Sequence, residues 1–284
     1  GRGTADMKSG IAAFVAAAAA IPADAGTVML AITNDEEADA VNGTAKLMGW
    51  MADNGHGFDF AIVGEPSSAE RLGDSIKIGR RGSFSGLVTV TGTQGHVAYP
   101  EKATNPLPVL AAAAMALTGE RLDGGTAHFP PSNLELTTID VGNPVGNVIP
   151  MSGTLRFNIR FNDLWTPDTL ADWVRRRLAS VDPKEARIAF DITGVPSRSF
   201  LSPLSADIDI LSAAIAEHAG EAPVYSTGGG TSDARFIAQY GPVVECGLVG
   251  SSMHKADEHV AVSDLLGLTE IYRTFMLRTF GETA

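Results

Sequence analysis

Four short segments that lie far apart in the sequence carry carboxylate or imidazole side chains beside apolar runs. Their sequences are GRGTADMKSG at residues 1–10, TNDEEADA at 33–40, VGEPSS at 63–68 and MHKADEH at 253–259. In an open α/β sheet, ligands gather outside the carboxyl ends of the strands, so distant segments can converge there. Carboxylates with one imidazole suit a divalent metal such as zinc, with manganese or cobalt as substitutes. The spacing therefore predicts a metal site that is assembled from distant segments.

Two adjacent carboxylates, Glu36 and Glu37, follow the apolar run VMLAIT. Neighbouring side chains that leave a strand point in different directions, so one can bind a metal while the other acts as a general base. A bound metal lowers the pKa of water to about 7, which allows such a base to serve in hydrolysis. Each acidic segment taken singly is more often a solvated turn or cap. The four together favour the metal site and metal-assisted hydrolysis.

Eight motifs closely resemble a known family, and the resemblance runs from Gly1 to about Tyr272. They are GRGTADMKSG, TNDEEADA, VGEPSS, IKIGRRGS, GTQGHVAYP, GNVIP, TGGGTSDARF and MHKADEH. The family they resemble is the group of di-zinc hydrolases that includes acetylornithine deacetylase, aminoacylase and glutamate carboxypeptidases. GRRGS together with QGHVAYP favours its desuccinylase branch. The resemblance implies an enzyme that hydrolyses the amide of a small anionic N-acyl amino acid.

The resemblance also implies roles for individual residues around the metal. Asp6 would bridge two zinc ions, and Glu36 would be the general base. Glu37 and His254 would bind one of the zinc ions, and Glu65 would bind the other. Cobalt is a possible substitute for zinc.

A second group of residues resembles the substrate contacts of the family. His96, in QGHVAYP, is similar to a histidine of the smaller domain, often of the partner subunit, that polarises the scissile carbonyl. A lone histidine is more often a hydrogen-bonded structural residue, but the surrounding motif reverses that expectation. The positions that match contacts to the substrate are Arg80, Ser83, Asn147, Arg160, Gly230 and Thr231.

Two features depart from the family pattern. The first zinc ligand of the family is a histidine in a His-x-Asp motif upstream of the Asp6 segment, whereas this chain starts at Gly1. We therefore expect an N-terminally truncated chain that binds zinc at no more than one well-occupied site. Ala38 also stands where relatives commonly have glycine, a mild change unless that turn needs a positive φ.

Three functional alternatives remain open on the sequence alone. The first is the desuccinylase reaction that the motifs favour. The second is the same chemistry on acetylornithine or another N-acyl amino acid or dipeptide. The third belongs to another class, because a chain with an incomplete zinc site could act only as a dimerising module.

Composition and charge exclude other classes of function. The net charge of -12 argues against nucleic acid binding, which requires a basic surface. The glycine-rich GGGTSD segment lacks the lysine of a phosphate-binding P-loop. The apolar run Ile11–Ile21 is shorter than the roughly 20 residues that span a bilayer, so we interpret it as a buried alanine-rich helix and expect no membrane contact. Cys246 is the single cysteine and can form no internal disulfide, which fits a cytoplasmic protein.

The elements predicted from hydrophobic periodicity alternate between helix and strand at both ends of the chain. The predicted helices are 8–21, 43–54, 106–117, 167–180, 206–219, 232–239 and 263–277, the last with Ser263 as N-cap. The predicted strands are 28–33, 60–63, 84–91, 133–141, 153–161, 187–192 and 243–246. The alternation favours an α/β sheet flanked by helices.

The middle of the chain has a different order of elements, β-α-β-β-α-β, which is typical of a ferredoxin-like domain. We therefore predict a zinc-hydrolase catalytic domain split between residues 1–81 and 195–284, with an inserted ferredoxin-like domain at 82–194. An edge strand of the inserted domain could pair across a two-fold axis, so we expect a homodimer through this domain.

Overall fold

The computed structural model describes residues 1–34, 36 and 41–281. The helices are α1 (Ser9–Ala19), α2 (Thr44–Asp53), α3 (Leu107–Thr118), α4 (Pro167–Ala179), α5 (Ala206–Ala219), α6 (Ala234–Ile237) and α7 (Val262–Thr279). The strands are β1 (Ala61–Val63), β2 (Ser75–Lys77), β3 (Gly79–Arg80), β4 (Gly82–Thr91), β5 (Gly95–His96), β6 (Asn133–Asp140), β7 (Val148–Ile149), β8 (Ser152–Phe161), β9 (Arg187–Ser197), β10 (Phe200–Leu201), β11 (Val224–Ser226) and β12 (Val243–Glu245). Thr4–Lys8 forms a π-helical turn and Pro100–Lys102 a 3₁₀ turn.

The chain divides into two compact units. Unit 1 consists of Gly1–Arg80 and Phe200–Ala284, and unit 2 of Arg81–Ser199. The second boundary falls after Ser199, whereas the sequence placed it after Gly194. The reason is that β9 continues to Ser197, which pairs with Ser83 of β4.

Unit 1 is built on a four-stranded sheet in the order β1-β12-β2-β11. β1 runs parallel to β12 and β11 parallel to β2, while β12 and β2 are antiparallel. Ala13 and Ala17 of α1 are buried in the same core as Val244 of β12 and Leu268 of α7. The small alanine side chains let this helix lie close to its neighbours, as the sequence predicted for the Ala-rich run.

Unit 2 contains an antiparallel sheet in the order β6-β8-β4-β9, with α3 and α4 packed on it. Side chains of β4 alternate between buried and half-buried, which is the pattern of a strand covered on one face. α4 begins with Pro167 at its first position, and Thr166 and Thr169 form a capping box. The predicted mixed α/β architecture and the β-α-β-β-α-β order are confirmed.

Two local predictions were wrong. Residues 28–33 form no strand, and Ile32 is 60% exposed. Hydrophobicity alone does not make a strand, since the backbone needs a pairing partner, and no strand among the described residues pairs with this run. Ser263 is not an N-cap, because α7 begins at Val262 after Ala261, and the Ser263 hydroxyl donates to Asp264 instead.

No helix within the described part of the chain is long and apolar enough to cross a membrane.

Candidate metal-binding active site

Asp6 and His254, from opposite ends of the chain, meet in unit 1. The Oδ2 atom of Asp6 lies 3.1 Å from Nε2 of His254. Asp6 belongs to the π-helical turn before α1 and is joined to Met7 by a cis peptide bond, while His254 adopts a φ of 58° in the loop before α7. Two of the predicted metal ligands are therefore adjacent.

Glu65 follows β1, and its carboxyl group interacts electrostatically with that of Asp6. Burial raises the pKa of Glu65 to about 9, with further contributions from the charges of Asp6, Glu36 and Glu245 and from a hydrogen bond with Asp6. Neighbouring negative charges disfavour the ionised form of a carboxyl group, which is why they raise its pKa. The charges of Asp6, Glu36 and Glu65, from three of the four predicted segments, therefore interact, and His254 of the fourth segment lies beside Asp6.

Close backbone approaches bring these segments together. A Cβ atom on Gly10 would lie 2.6 Å from the carbonyl oxygen of Gly64, and one on Gly247 would lie 2.3 Å from that of Glu65. The buried Ser67 side chain accepts a hydrogen bond from the Gly247 N–H at 2.9 Å, and Ser68 donates to the Gly247 carbonyl at 2.8 Å. Glycine at these positions and the two serines hold the Glu65 segment against the chain that leads to His254.

The donor set fits a divalent cation in its chemistry. Asp6 is linked to His254 on one side and to Glu65 on the other, and carboxylate oxygens with an imidazole nitrogen are ligands of zinc. Glu37 lies outside the described residues. Within those residues, no three His, Cys, Asp or Glu side chains converge closely enough to hold an ion by themselves.

Glu258 is a second acidic residue of the His254 loop. Its carboxylate accepts hydrogen bonds from the backbone N–H groups of Gly3 at 2.9 Å, Ala5 at 2.7 Å and Asp6 at 3.0 Å. The bonds from Asp6 and Gly3 are the main reason why the pKa of Glu258 falls to about 2. No role for Glu258 was predicted from the sequence. Its position in MHKADEH, four residues after His254, is a signal that could have identified it.

Arg80, a predicted substrate contact, is buried and bonded to the protein. Its Nε atom lies 2.9 Å from Glu245 Oε1, and Nη1 donates to the carbonyl oxygens of Gly228 at 3.2 Å and Gly230 at 3.3 Å. Glu245 also accepts a hydrogen bond from Ser232. No role for Glu245 was predicted from the sequence, although an acidic residue inside the apolar run VVECGL is a detectable signal.

The loop that holds Gly230 and Thr231 takes its shape from Arg80. Gly229 has a φ of 103°, and a Cβ atom there would lie 2.3 Å from Nη1 of Arg80. Only glycine fits this conformation and this close approach. The contacts of Gly230 and Thr231 with a substrate stay predictions.

In unit 2, His96 and Asn147 lie side by side. β5 pairs with β7, and the Val97 N–H donates to the Asn147 carbonyl at 3.1 Å. The Ala98 N–H donates to Nδ1 of His96 at 3.0 Å. A neutral ring that accepts at Nδ1 carries its proton on Nε2, so the exposed His96 can donate a hydrogen bond from that atom.

Ser83 and Arg160 are cross-strand partners on β4 and β8. The Asn158 side chain donates to the Ser83 hydroxyl at 3.1 Å. Burial, followed by the charge of Arg81, lowers the pKa of Arg160. Two guanidinium groups close enough to repel each other favour an anion nearby.

Nearly the whole chain matches one known protein family. The model of Peptidase family M20/M25/M40 matches residues 1–278. The chain belongs to this family. Peptidase family M20/M25/M40 consists of metal-dependent hydrolases, so the chain is a hydrolase.

Curated relatives of the family are similar to nearly the whole chain. Succinyl-diaminopimelate desuccinylase of Rhodospirillum centenum is 54% identical over 99% of this chain and 72% of its own length. Succinyl-diaminopimelate desuccinylase of Methylorubrum populi is 51% identical over 99% of this chain and 74% of its own length.

Solved structures show the same fold. Aminopeptidase PepT of Bacillus cereus has a TM-score of 0.75 at 18% identity, over 96% of this chain and 70% of its own. Human carnosine dipeptidase 1 has a TM-score of 0.66 at 16% identity, over 99% of this chain and 73% of its own. At such identities the likeness concerns the fold alone.

Proposed function

We propose that this chain is a succinyl-diaminopimelate desuccinylase. The reaction is hydrolysis of the succinyl amide of N-succinyl-LL-2,6-diaminopimelate. Water adds to the amide carbonyl carbon, the C–N bond breaks, and the products are succinate and LL-2,6-diaminopimelate. The free diamine would then serve the synthesis of lysine.

One observation carries the proposal. Curated desuccinylases are 51–54% identical over 96–99% of this chain. The paired segments of unit 1 agree with it, since Asp6 contacts His254 and repels Glu65. An amide hydrolase needs these carboxylates and this imidazole in one place.

Each residue of unit 1 has a distinct role in this proposal. Asp6, Glu37 and His254 would hold one metal ion, and Glu65 would bind the other. The bound metal would polarise the amide carbonyl and lower the pKa of water. Glu36 accepts a proton from the attacking water and passes it to the nitrogen of the leaving amine. Zinc is the metal we propose, at no more than one well-occupied site in this chain, with cobalt as a possible substitute.

Unit 2 would supply recognition. His96 donates from Nε2 to the oxygen that becomes negative when water adds to the carbonyl. Arg160 and Ser83 bind a substrate carboxylate, helped by the second positive charge of Arg81. Further contacts are Asn147 of unit 2 and, from unit 1, Gly230 and Thr231. For Arg80 we propose an indirect contribution through the Gly228–Gly230 carbonyls, because most of its donors are bonded to the protein.

Assembly and compartment complete the proposal. The edge strands β6 and β9 of unit 2 are available for pairing within the described sheet, so a homodimer through this unit is our proposal. The buried Cys246 is the single cysteine, and burial raises the pKa of its thiol to about 12, which keeps it unreactive. We propose the cytoplasm as the compartment.

The test is a comparison of two substrates. The protein is supplied with zinc, and release of free amine is measured from N-succinyl-LL-2,6-diaminopimelate and from N-acetylornithine. We expect the succinylated compound to be hydrolysed with the higher kcat/KM. Equal turnover of N-acetylornithine would contradict the substrate assignment. Glu36→Gln serves as the control for contaminating hydrolase activity.

A further inference from the structure

The loop between Met253 and His259 contacts Asp6 in two places at once. His254 lies 3.1 Å from the Asp6 carboxylate, and Glu258 accepts a hydrogen bond from the Asp6 N–H at 3.0 Å. One loop therefore holds both the side chain and the backbone of this residue.

Glu258 holds the chain before Asp6 as well. Its Oε2 atom accepts from the Gly3 N–H and its Oε1 atom from the Ala5 N–H, at 2.9 and 2.7 Å. The Glu258 residue is 1% exposed. A buried carboxylate with three short backbone donors fixes the path of the segment that receives its bonds.

The two ends of this loop are also hydrogen-bonded to each other, which restricts its conformation. The Ser252 hydroxyl donates to the His259 carbonyl at 2.6 Å and accepts from the His259 N–H at 3.1 Å. His254 and Glu258 lie between these two residues. The loop therefore fixes the distance between His254 and Glu258. Because both residues contact Asp6, it also fixes the position of Asp6 relative to His254.

We infer that Glu258 is a positioning residue for the metal site: through the amides of Gly3, Ala5 and Asp6 it sets the position of the Asp6 carboxylate against His254. This rests on the proposed metal-binding role of Asp6. Mutation of a group that orients a metal ligand typically lowers metal affinity by about 10–100-fold.

Glu258→Gln is the direct test. A glutamine keeps one acceptor oxygen but turns the other position into an N–H₂ donor that faces a backbone N–H. We expect the dissociation constant for zinc, measured by calorimetric titration, to rise by about 10–100-fold. In the metal-free protein, we expect the amides of Gly3, Ala5 and Asp6 to exchange with solvent about tenfold faster, measured by NMR.

Asp74→Asn is the matched control. Asp74 is another carboxylate of unit 1 that accepts three backbone bonds, from Ala69, Glu70 and Arg71 at 2.8, 2.8 and 3.1 Å. The Asp74→Asn variant should lower the melting temperature, as Glu258→Gln does, and leave the zinc dissociation constant unchanged. Glu258→Asp keeps the charge with a shorter reach, and we expect an intermediate zinc affinity. It also replaces Glu258→Gln if that variant does not fold.

The outcomes separate the inference from the proposed function. Unchanged zinc affinity and unchanged amide exchange in the Glu258 variants would overturn the inference and leave the metal site standing. A wild-type chain that binds no zinc would refute the metal site and the inference together. Normal zinc results without hydrolysis of the succinylated substrate would refute only the substrate assignment.

Discussion

Arg80 and Glu245 form a buried ion pair in unit 1. The Nε atom of Arg80 lies 2.9 and 3.0 Å from the two carboxylate oxygens of Glu245, whose side chain is fully buried. The same guanidinium reaches the carbonyl oxygens of Gly228 and Gly230. The ion pair therefore links the end of strand β12 to the glycine-rich loop at residues 228–230.

Removing Glu245 should be costly. Glu245→Ala leaves a buried guanidinium without its counter-charge, and we expect the free energy of unfolding to fall by about 3–5 kcal/mol. Chemical denaturation measures this loss. The control is Glu221→Ala, which removes the exposed Arg71–Glu221 pair and should cost about 1 kcal/mol or less. Similar losses in both variants would contradict a special role for the buried pair.

Glu36→Gln tests the general base. The amide keeps the size of the side chain but cannot accept a proton, so we expect kcat to fall by roughly 10²–10⁴-fold. Zinc affinity, measured by titration, should stay close to that of the wild type. Glu37→Gln should instead weaken zinc binding. The reverse pattern, with metal lost in the Glu36 variant and kept in the Glu37 variant, would exchange the two roles.

Gly247→Ala tests the close approach beside Glu65. The new methyl group would lie 2.3 Å from the Glu65 carbonyl oxygen, so the backbone must shift. We expect a loss of about 1–3 kcal/mol in the free energy of unfolding and weaker zinc binding. Gly57→Ala is the control, because a Cβ atom there meets no atom within 4 Å. Equal stability of the Gly247→Ala and Gly57→Ala variants would contradict the close approach of Gly247 to the Glu65 backbone.

Asp123 should make the stability of unit 2 depend on pH. Its carboxylate accepts hydrogen bonds from the Gly125 N–H, the Asn162 amide and the Trp165 indole, each at 2.8 Å. Burial alone would raise the pKa of Asp123, but hydrogen bonds, including those from Ser132, outweigh it and lower the pKa. A lowered folded-state pKa contributes stability above the unfolded pKa of about 3.9, and this contribution is lost as the pH falls through the folded pKa.

We therefore expect Asp123→Asn to lose about 1–3 kcal/mol of unfolding free energy at neutral pH. The difference from the wild type should shrink in acid, below the unfolded pKa of about 3.9. Denaturant titrations across this pH range measure it. Asp140→Asn, at the exposed end of β6, should show little difference at any pH. A constant difference for Asp123→Asn across the range would exclude the titration of this carboxylate as the cause.

Long periodic elements could be predicted from the sequence. Helix α5 was predicted with the observed bounds, Ala206–Ala219, and the long strands β4, β6 and β8 of unit 2 were predicted to within two residues at each end, while β9 continues beyond its predicted end at residue 192. Hydrophobic periodicity over many residues reports which face is buried, and this information is local. The strands of two residues, such as β3 and β10, were not predicted because so short a segment has no period, whereas the three-residue strands β1 and β12 were predicted from their apolar runs.

The chemical character of the site could be predicted from residue types and motifs: the acidic segments, the histidine of MHKADEH and the family resemblance that joins them. The partners of these residues are known only from the folded structure. In the structure, Asp6 lies beside His254 and Arg80 pairs with Glu245, while Glu258 accepts a hydrogen bond from the Asp6 N–H. Glu258 and Asp6 are 252 positions apart. Hydrogen bonds over such separations depend on how the whole chain packs, and no local pattern of residue types encodes them.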